Sequence, residues 1–566
     1  MMVVSLHTFG AQGDGRTDDT AAVAAAFASG LPLLGGGPQF VYLLKAPILL
    51  TASVDFDGQG CTLRPVGDTP ALVRNGPEGA ESTAVVAGAA RGSRRIVVER
   101  AAGISVGRWV WMTADDAPTH DSASYPDYWG KVTAVSGNSV EVDRPLPVDY
   151  SGRIRLNILA PEALIDHAVL RNVTFDGSAC TSRATLGLGA RLGAFRRVLV
   201  EGCSFVDFNA APQETLALAI VSSLDATIRD CRFAGQVSRN QQGGIYYCRN
   251  ALISGCSVDG SAFGLAIARS ENATFSDNFL NGYRKREGDE GEVTRSTRGI
   301  KAFGCASATI VNNCVSDYES GIKVQACFRF NVRGNTVRNS ALSRSYDGGI
   351  ALNIGSIRRG VNMTGGIVAE NIVENSGGIG IGVTSDDPAR VIIVGNQVMV
   401  TQGCGIHANV RDVVITANHV SDWGLRRAAD VGIIFGGGAT VIGNRLSHST
   451  LSNLACLHDG FQPAGRYVVR DNVSESGNPL GCVLENSGQG RIAAGSGRVS
   501  VTHGLSRTPG ADEICVMPTS GLAESSRPLW VSDIGPRTFT LNCRVDPGAP
   551  GLGFFWRATI KQPFIA

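Results

Sequence analysis

The sequence predicts an all-β chain built around a parallel β-solenoid. Three observations carry this. A short phrase returns every 22 to 36 residues: apolar, two residues, Asn or Cys, one residue, apolar. A second phrase, Gly-Ile-x-apolar-x, accompanies it in most copies. Glycine is abundant, at 71 of 566 residues, while aromatics are sparse at 7%, which suits a chain that turns often and stacks small side chains. Repeats of this length mark units that bury a core only by stacking on their neighbours.

The first phrase reads Val200-Glu-Gly-Cys203-Ser-Phe205, then Ile228 to Phe233 around Cys231, Ile253 to Val258 around Cys256, and Phe275 to Leu280 around Asn278. Further copies centre on Asn313, Asn335, Asn371, Asn396, Asn418, Asn444 and Asn472, and a weaker one, Leu170 to Phe175, has Val173 at the key place. An inward Asn at a turn can bond the backbone of the coils above and below, so this column is expected to be structural. Cys203, Cys231 and Cys256 share the column, and Cys305 and Cys327 both end Gly-Ile-Lys-x-x-x-Cys. Cysteines in such register are expected to be buried free thiols. No Cys-x-x-Cys pair occurs, so a zinc site is not expected, and no motif calls for a cofactor.

Four regions follow from the pattern: residues 1–83 as an N-terminal cap and first coils, 84–150 as an inserted β module, 151–487 as the solenoid, and 488–566 as a C-terminal β-sandwich. Near the start, Thr17-Asp18-Asp19-Thr20 precedes an Ala-rich stretch to Ser29. Thr17 is expected to cap a helix, with the two Asp residues at its positive end. That helix would cover the open end of the solenoid, where strand edges and core are otherwise exposed. In the insertion, Arg95-Ile-Val-Val-Glu, Trp109-Val-Trp-Met, Lys131-Val-Thr-Ala-Val and Ser139-Val-Glu-Val-Asp alternate as strands. The long loop Thr113 to Gly130 holds Asp115, Asp116, His120, Asp121, Tyr125, Tyr128 and Trp129. Its aromatics either stack on sugar rings or pack the module against the rest of the chain. Past residue 488, phrases such as Leu529-Trp-Val-Ser and Gly553-Phe-Phe-Trp-Arg alternate between Pro/Gly turns, as in a small sandwich.

The segment Phe9-Gly-Ala-Gln-Gly-Asp14-Gly15-x-Thr-Asp-Asp-Thr, with the helix after it, resembles the start of the pectate-lyase-like superfamily of right-handed parallel β-helix proteins, which includes polygalacturonases and many phage tailspikes. The repeats extend the resemblance over most of the chain. It implies binding or cleavage of a polysaccharide, most like a phage or prophage tailspike depolymerase acting on a bacterial surface polysaccharide as a homotrimer attached to a virion tail. The C-terminal strands, Val-Thr-His-Gly-Leu and Phe-Phe-Trp-Arg-Ala among them, are similar to the small β domains that serve trimerisation or carbohydrate contact in tail fibres. The net charge of +1, without a basic patch, speaks against a nucleic-acid partner. No apolar run is long enough for a membrane span, and the first ten residues lack the basic and apolar regions of a signal peptide. Synthesis in a host cytoplasm and release to act outside cells are therefore expected.

Chemistry is expected on the outer face of the Gly-Ile strands. Read down the repeats, the position after Ile gives Tyr246, Ala266, Lys301, Lys323, Ala351, Gly380, His407 and Ile434, and the next outward column gives Phe303, Gln325, Asn353, Gly382 and Asn409. Lys301 over Lys323 beside Gln325 and Asn353 makes a cationic patch, with Tyr246 and His407 as further substrate contacts. Two stacked lysines repel unless an anion, either substrate or a nearby Glu319 or the acidic loop 287–292, lies between them. Carboxylates flank the face: Glu319, Asp347 and Glu374 before their strands, Glu271 and Asp386-Asp387 after theirs. Glycoside hydrolysis commonly uses two carboxyl groups about 5–9.5 Å apart, and one or two coil spacings of about 4.8 Å supply that range. Glu319, Asp347, Asp386 and Asp387 are the catalytic candidates. The polygalacturonase pattern of paired Asp, Gly-His-Gly and Arg-Ile-Lys is out of order here, so its roles do not transfer. A lyase using Lys301 or Lys323 as base, with Arg269 or Arg344 on a uronate, is the alternative reaction. A non-catalytic adhesin and a structural tail protein are the alternatives to an enzyme.

Overall fold

The computed structural model describes residues 3–68, 70–77, 81–114, 125–181, 188–208, 216–235, 242–282, 297–340, 348–353, 365–384, 390–425, 431–436, 438–449, 457–459, 468–474, 485–505, 508–519 and 528–560. The chain forms two compact units, Met1–Ala389 and Arg390–Ala566.

In the first unit the described coils after the first lay one strand on each of three parallel sheets, and the first coil contributes strands to two of them. The first sheet stacks Phe56, Leu170, Val200, Ile228, Ile253, Phe275, Ile310, Val332 and Val368 in register, all fully buried. The second stacks Phe175, Phe205, Phe233, Val258, Leu280, Val315, Val337 and Val373. The rings of Phe175, Phe205 and Phe233 lie parallel at 4.8 and 5.1 Å, close to the strand spacing itself. Each such side chain contributes about 1.5–3 kcal/mol on burial.

The repeated phrase is the corner between these two sheets. Its first apolar residue ends the inward row of the first sheet, and its last begins that of the second. The residue before the Asn or Cys has positive φ: 53° at Asp230, 57° at Asp277, 56° at Asn312, and 61°, 63° and 66° at Gly202, Gly255 and Gly334. Gly, Asn and Asp tolerate this left-handed conformation, which is why they recur there. The left-handed residue swings the next side chain inward. Asn313 Nδ2 donates to Phe275 O (3.2 Å) and Asn335 Oδ1 (2.9 Å), and its own Oδ1 accepts from the N–H of Asn278 (3.1 Å) and from Asn278 Nδ2 (2.8 Å). Asn335 repeats the pattern with Asn371. Where Cys replaces Asn the thiol donates to backbone instead, as from Cys231 to Val200 O at 3.5 Å. Every described cysteine is a free thiol, and those of the column are buried.

The helix Thr20–Ala28 buries Val23, Ala26 and Phe27, with Phe27 edge-on to Phe56 at 5.2 Å, so it closes the first coil. Thr17 is not its cap. Thr17 ends up in the extended segment Asp14–Asp18, where Asp14 accepts from its N–H (2.7 Å) and hydroxyl (3.0 Å). Asp19 occupies the cap position, but its carboxylate turns back to hold the N–H groups of Gln12 (2.6 Å) and Gly13 (3.1 Å). Asp19 therefore fastens the preceding glycine-rich loop, while Asp18 accepts from the N–H (3.1 Å) and hydroxyl (2.5 Å) of Thr20 at the start of the helix.

The insertion is a closed six-stranded antiparallel barrel. It reaches beyond the 84–150 span at both ends: Glu81–Ala87 begins before residue 84, Ile154–Ile158 lies after residue 150, and the two pair with each other to close the barrel. The solenoid register passes over it unbroken: Val54–Asp57 pairs directly with Ala168–Arg171.

The second unit has short strands of the same three-sheet kind, and Asn396, Asn418, Asn444 and Asn472 form a ladder with Nδ2···Oδ1 distances of 2.8–2.9 Å. It also holds two three-stranded antiparallel sheets, one centred on Leu552–Thr559 and one on Thr538–Cys543. Phe539, Leu541, Phe554, Trp556 and Ile492 fill a core between them. Among the described residues no helix is long and apolar enough to cross a membrane.

Asn335→Ala removes the acceptor for two Asn313 donors and the donor to Ile310 O at once. At about 1–3 kcal/mol for each buried group left unsatisfied, the expected loss is about 2–4 kcal/mol, read as a lowered denaturation midpoint. An unchanged midpoint would show that the ladder adds nothing to stability.

Candidate functional site

The third sheet carries the candidate site. Its strand pairing fixes two outward columns. One runs Arg191, Ala219, Gly244, Ala266, Lys301, Lys323, Ala351, Gly382, and the other runs Gly193, Val221, Tyr246, Ala268, Phe303, Gln325, Asn353, Thr384. Lys301 stacks on Lys323, and Gln325 on Phe303 with Asn353 next, as the sequence pattern implies. Tyr246 is displaced: it heads the Phe303–Gln325 column rather than the lysine column, because Gly243 and not Gly244 pairs with Leu265. Gly382, not Gly380, continues the lysine column. Both differences arise where the Gly-Ile phrase is doubled, at Gly243-Gly244 and at Gly378-Ile379-Gly380-Ile381, so that two registers satisfy the same pattern.

This face is not an open groove. Lys323 and Gln325 are each 6% exposed, Phe303 8% and Ala266 2%. Lys301 and Tyr246 keep part of their surface. Lys301 Nζ lies 4.9 Å from the centre of the Phe303 ring, a cation–π contact along the strand. Tyr246 packs on Leu216, Ala219 and Val221, and burial pushes its phenol pKa upward. Lys301, Lys323, Gln325 and Glu319 all have interaction partners of their own, as buried cations require. Glu319 is half-buried just before the Lys323 strand, and its N–H donates to Thr297 Oγ1 at 2.8 Å. Asn353 is placed by its backbone beside Gln325. Asp347, Asp386 and Asp387 lie outside the described residues, as does Arg344. His407 belongs to the second unit, pairs with Ile434, and has its pKa lowered by burial.

The loop aromatics of the insertion do not offer themselves to sugars. Tyr125, Tyr128 and Trp129 are buried. Tyr125 and Tyr128 line the barrel core together with Ala306 and Phe328 from the solenoid. Trp129 packs on Leu159, Leu164, Ala194 and Leu224, stacks on Trp111 at 5.5 Å, and donates from Nε1 to Tyr247 O at 2.8 Å. Two ion pairs, each between a buried carboxylate and a half-buried arginine, fasten the same contact. Arg144 grips Glu271 with both terminal nitrogens (2.6 and 2.8 Å), and Glu271 also accepts the Trp129 N–H at 2.8 Å. Arg269 meets Asp127 at 3.0 Å, whose other oxygen accepts Trp111 Nε1 at 2.6 Å. Glu271, an edge carboxylate by sequence, is thus committed to docking the barrel, and Arg269 is not at liberty to hold a uronate. Burial raises the Glu271 carboxyl pKa, with Arg144 opposing it. Glu374 is an exposed partner of Arg338 at 3.1 Å.

The family model for the right handed beta helix region matches residues 225–398. Taken with the three stacked sheets, this makes the chain a right-handed parallel β-helix protein. Among solved structures, the tailspike protein gp49 of Pseudomonas phage LKA1 is similar at TM-score 0.52 and 13% identity, over 99% of this chain and 100% of that one. The gp54 tailspike of Acinetobacter baumannii bacteriophage AP22, in complex with a capsular saccharide, follows at 0.49 and 11%, over 99% and 96%. The tailspike gp61 of Pseudomonas phage phi297 gives 0.47 and 14%, over 99% of each chain. At these identities the likeness is one of fold. No curated protein matches the sequence.

Removing one partner of a buried pair leaves an uncompensated charge. Arg144→Ala is therefore expected to cost about 3–5 kcal/mol and to make the barrel susceptible to limited proteolysis. The loss should depend on pH. Without the guanidinium, the folded-state pKa of Glu271 climbs further above its ordinary 4.5. Between the unfolded and folded values the native state then binds more protons, so stability falls as pH rises. Thermal midpoints should show a larger defect at pH 8 than at pH 5, and an equal defect at both would remove Glu271 as the cause.

Proposed function

We propose that this protein is a tailspike-like depolymerase that binds a bacterial surface polysaccharide, whether capsule, exopolysaccharide or O-antigen, and cleaves it by glycoside hydrolysis. The observation that carries the reading is the break in the outer columns of the third sheet. Between Ala266 and Ala351 in one column, and after Ala268 in the other, Lys301 and Lys323 stand next to Phe303 and Gln325, with Tyr246 two strands before Phe303. Such a set offers cations and amides to sugar oxygens and flat rings to sugar faces. Full-length likeness in fold to a phage tailspike supports the same reading. Lys301 and Tyr246 provide the accessible contact, backed by Lys323 and Gln325, and Asn353 and, in the second unit, His407 are also saccharide-contact candidates.

Glu319, at the edge of the Lys323 strand, is one member of the acid–base pair, and Asp347, just ahead of the next Gly-Ile phrase in the sequence, is its partner. Asp386 and Asp387 are the second choice for that partner. The protein acts outside cells as a homotrimeric component of a virion tail, joined through its C-terminal sandwich. The stacked lysines also suit proton abstraction beside a uronate carboxylate, which would make the reaction an elimination.

Glu319→Gln and Asp347→Asn are each expected to lower the cleavage rate by about 10²–10⁴-fold, the worth of a positioned acid or base, while leaving polysaccharide binding intact. New reducing ends measure hydrolysis, and ultraviolet absorbance of an unsaturated uronate measures elimination. Binding by the wild-type protein with neither product would make it an adhesin. A blank glycan array would leave only a structural role.

A further inference from the structure

The barrel and the solenoid enclose a groove of about 470 Å³, within the size range of small-ligand sites. Its walls are Arg91 and Arg94 from the first hairpin of the barrel, Asp143 and Arg144 from the connection leaving the barrel strand Ser139–Val142, and Glu271 and Arg329 from the solenoid. Four arginines face two carboxylates there. Arg144 and Glu271 neutralise each other across the docking contact, and Asp143 Oδ1 is occupied by the Lys131 N–H at 2.8 Å. Arg91, Arg94 and Arg329 are exposed, and among the described residues none of the three is held in an ion pair. On the solenoid surface Arg171, Arg229, Arg333 and Arg338 are each paired with a carboxylate on a neighbouring coil, whereas Arg196, Arg197 and Arg232 are not, among the described residues. Asn272 and Ser307 add neutral hydrogen-bonding groups to the floor.

We propose that this groove is a second saccharide-binding site, for an oxyanion-bearing sugar residue, separate from the outer face of the third sheet. Guanidinium groups bind carboxylate and phosphate oxygens through paired N–H donors. Three of them line one groove, against a single carboxylate, Asp143, that no arginine of the groove already pairs, and leave a net positive site. The fixed docking of the barrel through Arg144–Glu271 and Arg269–Asp127 preorganises the walls. The ligand class rests on the reading that the protein binds a polysaccharide. The site itself does not use Lys301, Lys323 or Glu319.

The test is calorimetric titration of the full-length protein with trigalacturonate and, separately, with inorganic phosphate. Trigalacturonate is expected to bind more weakly as salt is raised. The triple variant Arg91→Ala/Arg94→Ala/Arg329→Ala should bind it about tenfold or more weakly, with an unchanged thermal midpoint because these side chains make no ion pair. Arg229→Ala, which removes an arginine already paired with Glu201, should leave this affinity near the wild-type value. Phosphate binding lost in the same triple variant, with no trigalacturonate binding, would still support the site and assign its oxyanion to a phosphate-bearing glycan. The proposal is overturned if neither probe binds, or if the triple variant binds both as the wild type does. A protein that keeps the groove affinity but neither binds nor cleaves surface polysaccharide through the third sheet would overturn the preceding reading alone.

Discussion

The parallel pairing of one coil with the next constrains everything else in this molecule. Strand spacing of about 4.8 Å forces equivalent residues to stand on top of one another, so each corner and each inward position must suit its own copy above and below. Phenylalanines then stack face to face, and asparagines pass a hydrogen bond from coil to coil. The left-handed residue ahead of each Asn is the enabling device. Without it the amide would not turn into the corner, and backbone groups there would be left unsatisfied.

The same constraint explains how a six-stranded barrel can be carried without disturbing the rod. The solenoid strands on either side of the insertion pair with each other as if nothing intervened. The barrel is then held from the side by groups far apart in sequence, such as Asp127 and Arg269, 142 residues apart. Buried ion pairs contribute little net stability, because desolvation offsets attraction. Their value here is geometric: paired guanidinium–carboxylate contacts at two points, with Trp129 between them, permit one orientation of the barrel and disfavour a sliding apolar contact.

Much of this was legible in the sequence because stacking writes a period into it. The repeat, the covering helix, the insertion and the terminal sandwich all leave local patterns. The structural role of the Asn column followed from its inward position alone. What failed was whatever depended on a choice between equivalent registers or on distant partners. Doubled Gly-Ile phrases gave Tyr246 and Gly380 the wrong columns. Thr17 looked like a cap because it precedes the helix, while the carboxylates around it were engaged in the loop before it. For Tyr125, Tyr128 and Trp129 the sequence left sugar contact and packing of the module both open, and the docked barrel decides for packing. Glu271 looked like an edge carboxylate because nothing nearby in sequence announces Arg144.

Charge illustrates where the stacking rule stops. With 51 basic and 50 acidic side chains the chain is balanced overall, and on the solenoid surface balance is local: Arg171 and Arg229 share Glu201, and Arg333 meets Glu370 one coil on. Like charges in one column would repel at every coil, so alternation is enforced wherever coils continue. Exposed pairs of this kind are worth only about 0–1 kcal/mol each, and their regularity reflects avoidance of repulsion more than a gain in attraction. Two places escape the rule. On the third sheet Lys301 and Lys323 are directly superposed, and at the seam between barrel and solenoid three arginines converge without partners. At the seam no column exists to impose alternation, since the walls come from separate folds. At the seam Arg91, Arg94 and Arg329 make no ion pair among the described residues, whereas Lys301 and Lys323, superposed though they are, each have a partner of their own.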